Sequence, residues 1–277
     1  MRRFIPLVLA GLLLVSCGVS CGQKYPDYTD PGEAAYIRDG MEYVIHAGGT
    51  LDGIDESNVA RTYDGSNSAE GLAQCLDAGC EVVELDFSFT ADGELACIHN
   101  WHKEYSADIE NEVPMTLEAF LGTEIYANFT PMWLGSLAET LRENEGLYIV
   151  ADIKDDLIPA LEKIAAACPD LKNRFVVQIY DGSQYDDVRE LGFEYVIYTL
   201  YRLDWAGKTD WRALGEFAEK HPLIGFTFSY ELCEVEGYVD GMLKSCVPLY
   251  IHTVNGDEEQ RKYFDMGISG IYTDDVK

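Results

Sequence analysis

Eight short apolar runs rich in β-formers, separated by stretches of helical periodicity, predict an α/β chain folded as a single (β/α)8 TIM barrel. The runs lie at 42–47 (EYVIHA), 80–87 (CEVVELDF), 146–154 (GLYIVADIK), 174–180 (RFVVQIY), 194–201, 223–229, 247–255 and 268–274. Length alone does not choose, since 277 residues with 47% hydrophobic content suit one large barrel or two domains. The regular strand–helix alternation selects the barrel.

The N-terminus comes first in order. Arg2 and Arg3 precede an apolar run that is too short to cross a bilayer core of roughly 30 Å as a helix. Residues 1–17 therefore read as an export signal. Its end, Leu14-Val15-Ser16-Cys17, resembles a bacterial lipobox, which implies a lipid on Cys17 and attachment to a membrane surface in the cell envelope. Residues 18–32 read as a tether, and 33–277 as the barrel.

The first helix is expected over 67–79, opened by Asn67 with Glu70 as a capping box and closed by Gly79. After the second strand an inserted segment, 94–145, is long for a strand-to-helix connection; it carries an extra strand (ELACIH) and a helix near 136–144. Further helices are expected at 157–168, 210–221 and 257–267. No helical run follows the eighth strand, and residues 32–41 are expected to cover part of the barrel.

The formal charge is −29, and loss of Arg2 and Arg3 with the signal takes it to −31. No basic stripe is present, which excludes a nucleic-acid partner. An anionic substrate would need a metal or a local lysine to enter so negative a field. The eight cysteines show no C-x-x-C or zinc spacing, so buried free thiols are expected.

Side chains two apart on a strand share a face, so Glu84 and Asp86 point the same way. Inside a barrel such a pair is costly unless a cation lies between, and oxygen ligands suit Ca²⁺ or Mg²⁺. Asp92-Gly93 is a hairpin signal that returns the chain and brings His99 near the pair. His46 ends the first strand, on the face where barrel enzymes work.

In order along the chain, His46-x-Gly48, the Asn67-Ser68 helix start, Glu84-x-Asp86, Thr90-x-Asp92-Gly93 and His99 resemble the glycerophosphodiester phosphodiesterase family, which shares its barrel with the phosphatidylinositol-specific phospholipases C. ADIK, TVN and GIYTD extend the resemblance over about residues 42–275. It implies hydrolysis of a small phosphodiester to glycerol phosphate and an alcohol, with His46 and His99 as acid and base. It further implies Glu84, Asp86 and Asp152 as ligands of Ca²⁺ or Mg²⁺, and Lys154 on the phosphate. Two rivals stand: a metal-independent phospholipase C-like lyase, and a non-catalytic surface binding protein on the same barrel.

Four positions depart from the family pattern. Ala47 and Ser66 stand where it commonly has arginine and glutamate, Asp152 where it has glutamate, and Asn100 where it has aspartate. Arg202 is a candidate substitute for the missing charge. Gln178 and His252 are expected on the pocket wall, His102 and His221 at the surface, and Trp101, Trp133 and Trp205 in the core or at a substrate entrance.

Overall fold

The computed structural model describes residue 37 and residues 41–55, 57–205 and 207–277. The signal and tether expected at 1–32 lie outside the described residues. The strands are β1 (Tyr43–Ile45), β2 (Leu51–Ile54), β3 (Ala60–Tyr63), β4 (Val82–Phe89), β5 (Leu95–Cys97), β6 (Tyr148–Ile153), β7 (Phe175–Ile179), β8 (Tyr195–Thr199), β9 (Gly225–Ser229), β10 (Leu249–His252) and β11 (Gly270–Thr273). The helices are α1 (Ala69–Ala78), α2 (Leu117–Leu121), α3 (Leu134–Glu143), α4 (Leu157–Ala167), α5 (Tyr185–Glu190), α6 (Tyr201–Trp205), α7 (Trp211–Lys220), α8 (Tyr238–Met242) and α9 (Asp257–Asp265).

Strands β1, β4 and β6–β11 run parallel, and the barrel closes because β1 pairs with both β11 and β4. These are the eight expected runs. Between β4 and β6 lies the expected insertion, with β5 antiparallel to β4 and α3 packed beneath. A separate β2–β3 hairpin follows β1. Among the described residues no helix is long and apolar enough to cross a membrane.

The pleat divides each strand. On β4, Val83, Leu85 and Phe87 join the outer core beneath the helices, while Val82 joins the inner one with Val44, Tyr148, Val150, Val176, Ile197 and Tyr250. Ile37 and Met41 belong to this inner cluster too, and the Met41 N–H donates to Tyr250 Oη at 3.2 Å, so these two residues lie at the barrel floor; the rest of 32–41 lies outside the described residues. Tyr250 fits inside because Gly270 has no side chain: a Cβ there would lie 2.6 Å from the ring and 2.1 Å from Met41 O. The floor is thus dry and apolar, and polar inward residues are left for the C-terminal strand ends.

One helix start differs from expectation. Ser68, not Asn67, caps α1, its hydroxyl accepting from Gly71 N at 3.2 Å; Glu70 instead takes Thr130 N and Oγ1, each at 2.8 Å. Asn67 adopts a left-handed φ of 51°, tolerable for asparagine, and turns its amide inward. Gly79 closes the helix in the left-handed conformation as expected. Cys75, Cys80, Cys97, Cys168 and Cys233 are free thiols, and Cys246 is disulfide-bonded.

Helix α1 approaches the turn after β1 through glycine. A Cβ on Gly71 would meet Gly48 O and Ser66 Oγ at 3.1 Å, with backbone on one side. Gly71→Val is expected to cost about 1–3 kcal/mol through overpacking. Urea unfolding checks it: the midpoint should fall at unchanged slope, and an unmoved midpoint would refute the close contact.

Candidate active site

Parallel register assembles the carboxylates. Asp86 on β4 sits opposite Asp152 on β6, and Val83 opposite Ile45 on β1, so Glu84 and His46, each one residue further along, share a level. All three carboxylates are buried, each offering an oxygen within 4.8 Å of the others. The β4–β5 pairing sets Cys97 opposite Phe87 and carries His99, two residues on, back toward Asp86. His46, Glu84, Asp86, His99, Asp152 and Lys154 all line one cleft of about 160 Å³, together with Gln178, Thr199, Tyr201, His252, Thr253 and Tyr272.

Each acid has specific partners. The Ala47 N–H donates to Glu84 Oε2 at 2.9 Å. Asn67 donates through Nδ2 to Asp86 Oδ2 at 2.8 Å and accepts from the Asp86 N–H at 2.9 Å. Tyr180 Oη donates to both Asp152 oxygens, at 2.7 and 2.9 Å. Lys154, on the inward face just past β6, places Nζ 2.8 Å from Asp86 Oδ1 and 2.8 Å from Asp152 Oδ2.

Burial, followed by the charge of Asp86, pushes Glu84 up to about 8. Burial also opposes ionisation of Asp86, but Lys154 and His99 outweigh it and hold that carboxyl below its usual range. The triad thus gathers more negative charge than its own surroundings neutralise. Clustered oxygen donors of this kind fit a hard divalent cation.

His46 has a built support. Its Nδ1 donates to Asp274 Oδ1 at 2.7 Å; Asn255 Nδ2 donates to Asp274 Oδ2 at 2.8 Å, and the Asp274 N–H donates to Asn255 Oδ1 at 2.8 Å. Burial alone would lower this imidazole, yet the Asp274 hydrogen bond and the charges of Glu84, Asp274 and Asp86 raise it to about 9. His99 moves the other way, held below 6.5 by desolvation and by Lys154.

A group raised in the folded state contributes stability that is complete below its unfolded value, near 6.5, and lost as pH rises through its folded value, about 9. The melting temperature of chelator-treated protein is therefore expected to fall across that window. Asp274→Asn should flatten the fall, and NMR titration should place His46 nearer 6.5. An unchanged His46 titration would show that Asp274 does not set its charge.

Ala47 and Ser66 are buried, at 1% and 2% exposure. Ser66 Oγ shares a 2.8 Å hydrogen bond with Ser68 Oγ, and a Cβ on Gly65 would lie 3.6 Å from Ala47 Cβ. Small residues thus pack closely at both positions. Arg202 stacks over Tyr180, its guanidinium carbon 5.4 Å from the ring centre, and is not among the cleft residues.

Gln178 Oε1 accepts from Tyr272 Oη at 3.0 Å and Thr199 Oγ1 at 3.4 Å, so its carbonyl is a structural tie. His252 lines the wall with Nδ1 3.2 Å from Thr227 Oγ1, and burial drives it down to about 3. Trp101 is buried in the insertion's own core. His221 is half-buried, stacked on Phe217 at 4.2 Å, rather than a surface residue.

Sequence reasoning missed Asp274, Asn255, Asn67 and Tyr180 as site residues. GIYTD and TVN contained the first two, but nothing local says that Asn255 grips Asp274 and that Asp274 grips His46.

No model of a known protein family matches the chain. A glycerophosphodiester phosphodiesterase of Caldanaerobacter subterraneus subsp. tengcongensis is 23% identical over 226 residues, covering 76% of this chain and 88% of that protein. Among solved structures, the Thermotoga maritima glycerophosphodiester phosphodiesterase superposes with a TM-score of 0.59 at 19% identity, covering 76% of this chain and 88% of that one. A Parabacteroides distasonis glycerophosphoryl diester phosphodiesterase gives 0.63 at 16%, covering 87% and 88%. An Oleispira antarctica phosphodiesterase, solved in complex with the product sn-glycerol-3-phosphate, gives 0.64 at 14%, covering 85% and 93%. The chain is thus similar in sequence to one protein named a glycerophosphodiester phosphodiesterase, and it shares the barrel fold of solved structures bearing that name.

Proposed function

We propose that this protein hydrolyses glycerophosphodiesters to glycerol phosphate and an alcohol, with a divalent cation at Glu84, Asp86 and Asp152. The observation that carries the reading is the convergence of two histidines of opposite pKa shift on a buried oxygen triad in one cleft. When bound, the cation supplies Lewis-acid polarisation of a phosphoryl oxygen.

The chain's own groups divide the proton work. Asp274 holds a proton on His46 Nδ1 and stabilises the charged ring, so His46 gives a proton to the leaving alkoxide from its other nitrogen. His99, neutral at pH 7, takes the proton of the substrate's attacking glycerol hydroxyl, and water then opens the cyclic phosphate formed as the alcohol leaves, with the two histidines exchanging roles. Two groups pushed apart in this way make an acid/base pair. Lys154 faces the phosphate as a fixed positive group, tethered by Asp86 and Asp152.

One observation favours a second reading. The Lys154 ammonium already bridges two carboxylates, so a phospholipase C-like lyase could draw its positive charge from the chain alone. Assays on glycerophosphocholine, glycerophosphoglycerol and phosphatidylinositol, with and without chelator, decide. Full activity in chelator on the inositol lipid selects the lyase, and no turnover of any diester selects the binding protein.

Export and anchoring form part of the same reading, supported by Leu14-Val15-Ser16-Cys17. Mass spectrometry of membrane-fraction protein is expected to find a lipidated Cys17 at the mature N-terminus. An unmodified terminus at another residue would remove the anchor.

A further inference from the structure

Two cysteines meet where α1 ends. Gly79, left-handed at a φ of 80°, lets the Cys80 N–H reach back to Cys75 O at 2.9 Å, while its own N–H donates to Leu76 O at 3.0 Å. A helix closed by these two bonds brings the side chains of the outer pair together, and that pair is ordinarily apolar. Here both are cysteines, and their sulfurs share a hydrogen bond. The main-chain bond between them also keeps their Cα atoms within the roughly 4.4–6.8 Å that a disulfide spans.

The two thiols differ in access. Cys75 is wholly buried, and its proton has two acceptors in reach: Cys80 Sγ, and Gly48 O at 3.6 Å in the turn after His46. Cys80 is half-buried, with Sγ 3.1 Å from the Lys277 main-chain O. It lies on the wall of a cavity of about 330 Å³ beside the N-terminal ends of β1 and β4, which Glu42, Tyr43, Glu81 and Lys277 also line. Donation from Cys75 holds the Cys80 thiol below its ordinary value, at about 7, and the same bond, with burial, pushes Cys75 up. Cys80 is therefore suited to attack first, and Cys75 to follow.

A second observation points the same way. Cys246 is already disulfide-bonded. Conditions that maintain one bridge also oxidise an accessible thiol held against another.

We propose that Cys75 and Cys80 are a thiol–disulfide pair whose closure staples the end of α1 to the chain entering β4, the strand of Glu84 and Asp86. With a low-molecular-weight disulfide as oxidant, the Cys80 thiolate attacks one of its sulfurs, breaks that S–S bond and releases one thiolate. Cys75 then attacks Cys80 Sγ and breaks the mixed disulfide, its proton going to the departing thiolate. The oxidant leaves as two thiols, having taken two electrons and two protons from the pair. Closure removes the Cys75 donor from Gly48 O, which keeps Gln74 Nε2 at 3.0 Å, so the turn after His46 stays held. The inference does not rest on the hydrolase reading, because the bridge forms without substrate.

The test equilibrates full-length protein with oxidised or reduced glutathione, alkylates it under denaturing conditions and cleaves it on the N-terminal side of aspartate. Such cleavage parts residues 64–76, which hold Cys75, from residues 77–85, which hold Cys80. In the oxidised buffer the two peptides are expected to be joined; in the reduced buffer, separate and alkylated. Separate alkylated peptides in a buffer that leaves the Cys246 bridge intact overturn the proposal, as does either cysteine joined to another partner.

Variants test the order of attack and the staple. In Cys75→Ala the second sulfur is gone, so the peptide 77–85 should carry one glutathione by mass, whereas 64–76 in Cys80→Ala should carry none. An unmodified Cys80 in Cys75→Ala removes it as the attacking sulfur. Should Cys75→Ala fail to fold, the wild-type peptides decide alone. Oxidised protein should melt above reduced protein by a wider margin in wild type than in Cys80→Ala. Equal margins in the two would overturn the staple.

Discussion

Replacing His46 or His99 with alanine is expected to lower turnover on the best diester by about a hundredfold or more, the usual scale for loss of a positioned acid or base. The two variants should differ in how the loss depends on the leaving group. His46 is the acid in this scheme, so His46→Ala should be less damaging for a diester whose alcohol leaves without a proton, such as a nitrophenyl ester. His99→Ala acts on the attacking side and should be equally damaging for both. Support for His46 comes through Asp274 and Asn255, so Asp274→Asn is expected to fall between wild type and His46→Ala. Near wild-type turnover in either alanine variant would remove that histidine from the chemistry, and identical leaving-group responses would remove the assignment of roles.

Stripping the divalent cation should have an effect as large. Activity is expected to fall to background in chelator and to return with Ca²⁺ or Mg²⁺. Melting should shift with it, because a ligand that binds only the folded state stabilises it by roughly 2.7 kcal/mol at a hundred times its dissociation constant. Glu84→Gln keeps the size of the side chain and its acceptor for the Ala47 N–H while removing a charge, so it should weaken metal binding more than it disturbs packing. Asp152 is one methylene shorter than the family's usual glutamate, and its oxygens already receive Tyr180 and Lys154. Asp152→Glu should accordingly be tolerated where Asp152→Ala is not. Calorimetric titration of stripped protein decides: no divalent binding together with full activity in chelator would reject the site and leave Lys154 as the cation.

Much of the architecture was legible because hydrophobic pattern is local. β6, with Tyr148, Val150 and Asp152 inward and Ile149, Ala151 and Ile153 outward, is buried on both faces and reads as a continuous apolar run in any window of the sequence. The start of α1 was not legible to one residue. Asn67 and Ser68 are both good caps by type, and only the Asp86 side chain, 19 residues away, shows why Asn67 turns inward and leaves the cap to Ser68.

The sequence by itself determined the eight strands, the place of the insertion, the pairing of Glu84 with Asp86 on one face, and the return of His99 by the Asp92-Gly93 turn. All of these follow from periods of two and 3.6 residues and from turn chemistry, which act over a few neighbours. Tertiary structure alone decided that Asp86 faces Asp152 across the β4–β6 register, that Asp274 closes on His46 228 residues away, and that Lys154 bridges two acids. The physical reason is common to them: barrel closure fixes which strand ends are adjacent, and that adjacency, rather than anything near each residue in the chain, sets the charge and the partners that each side chain meets.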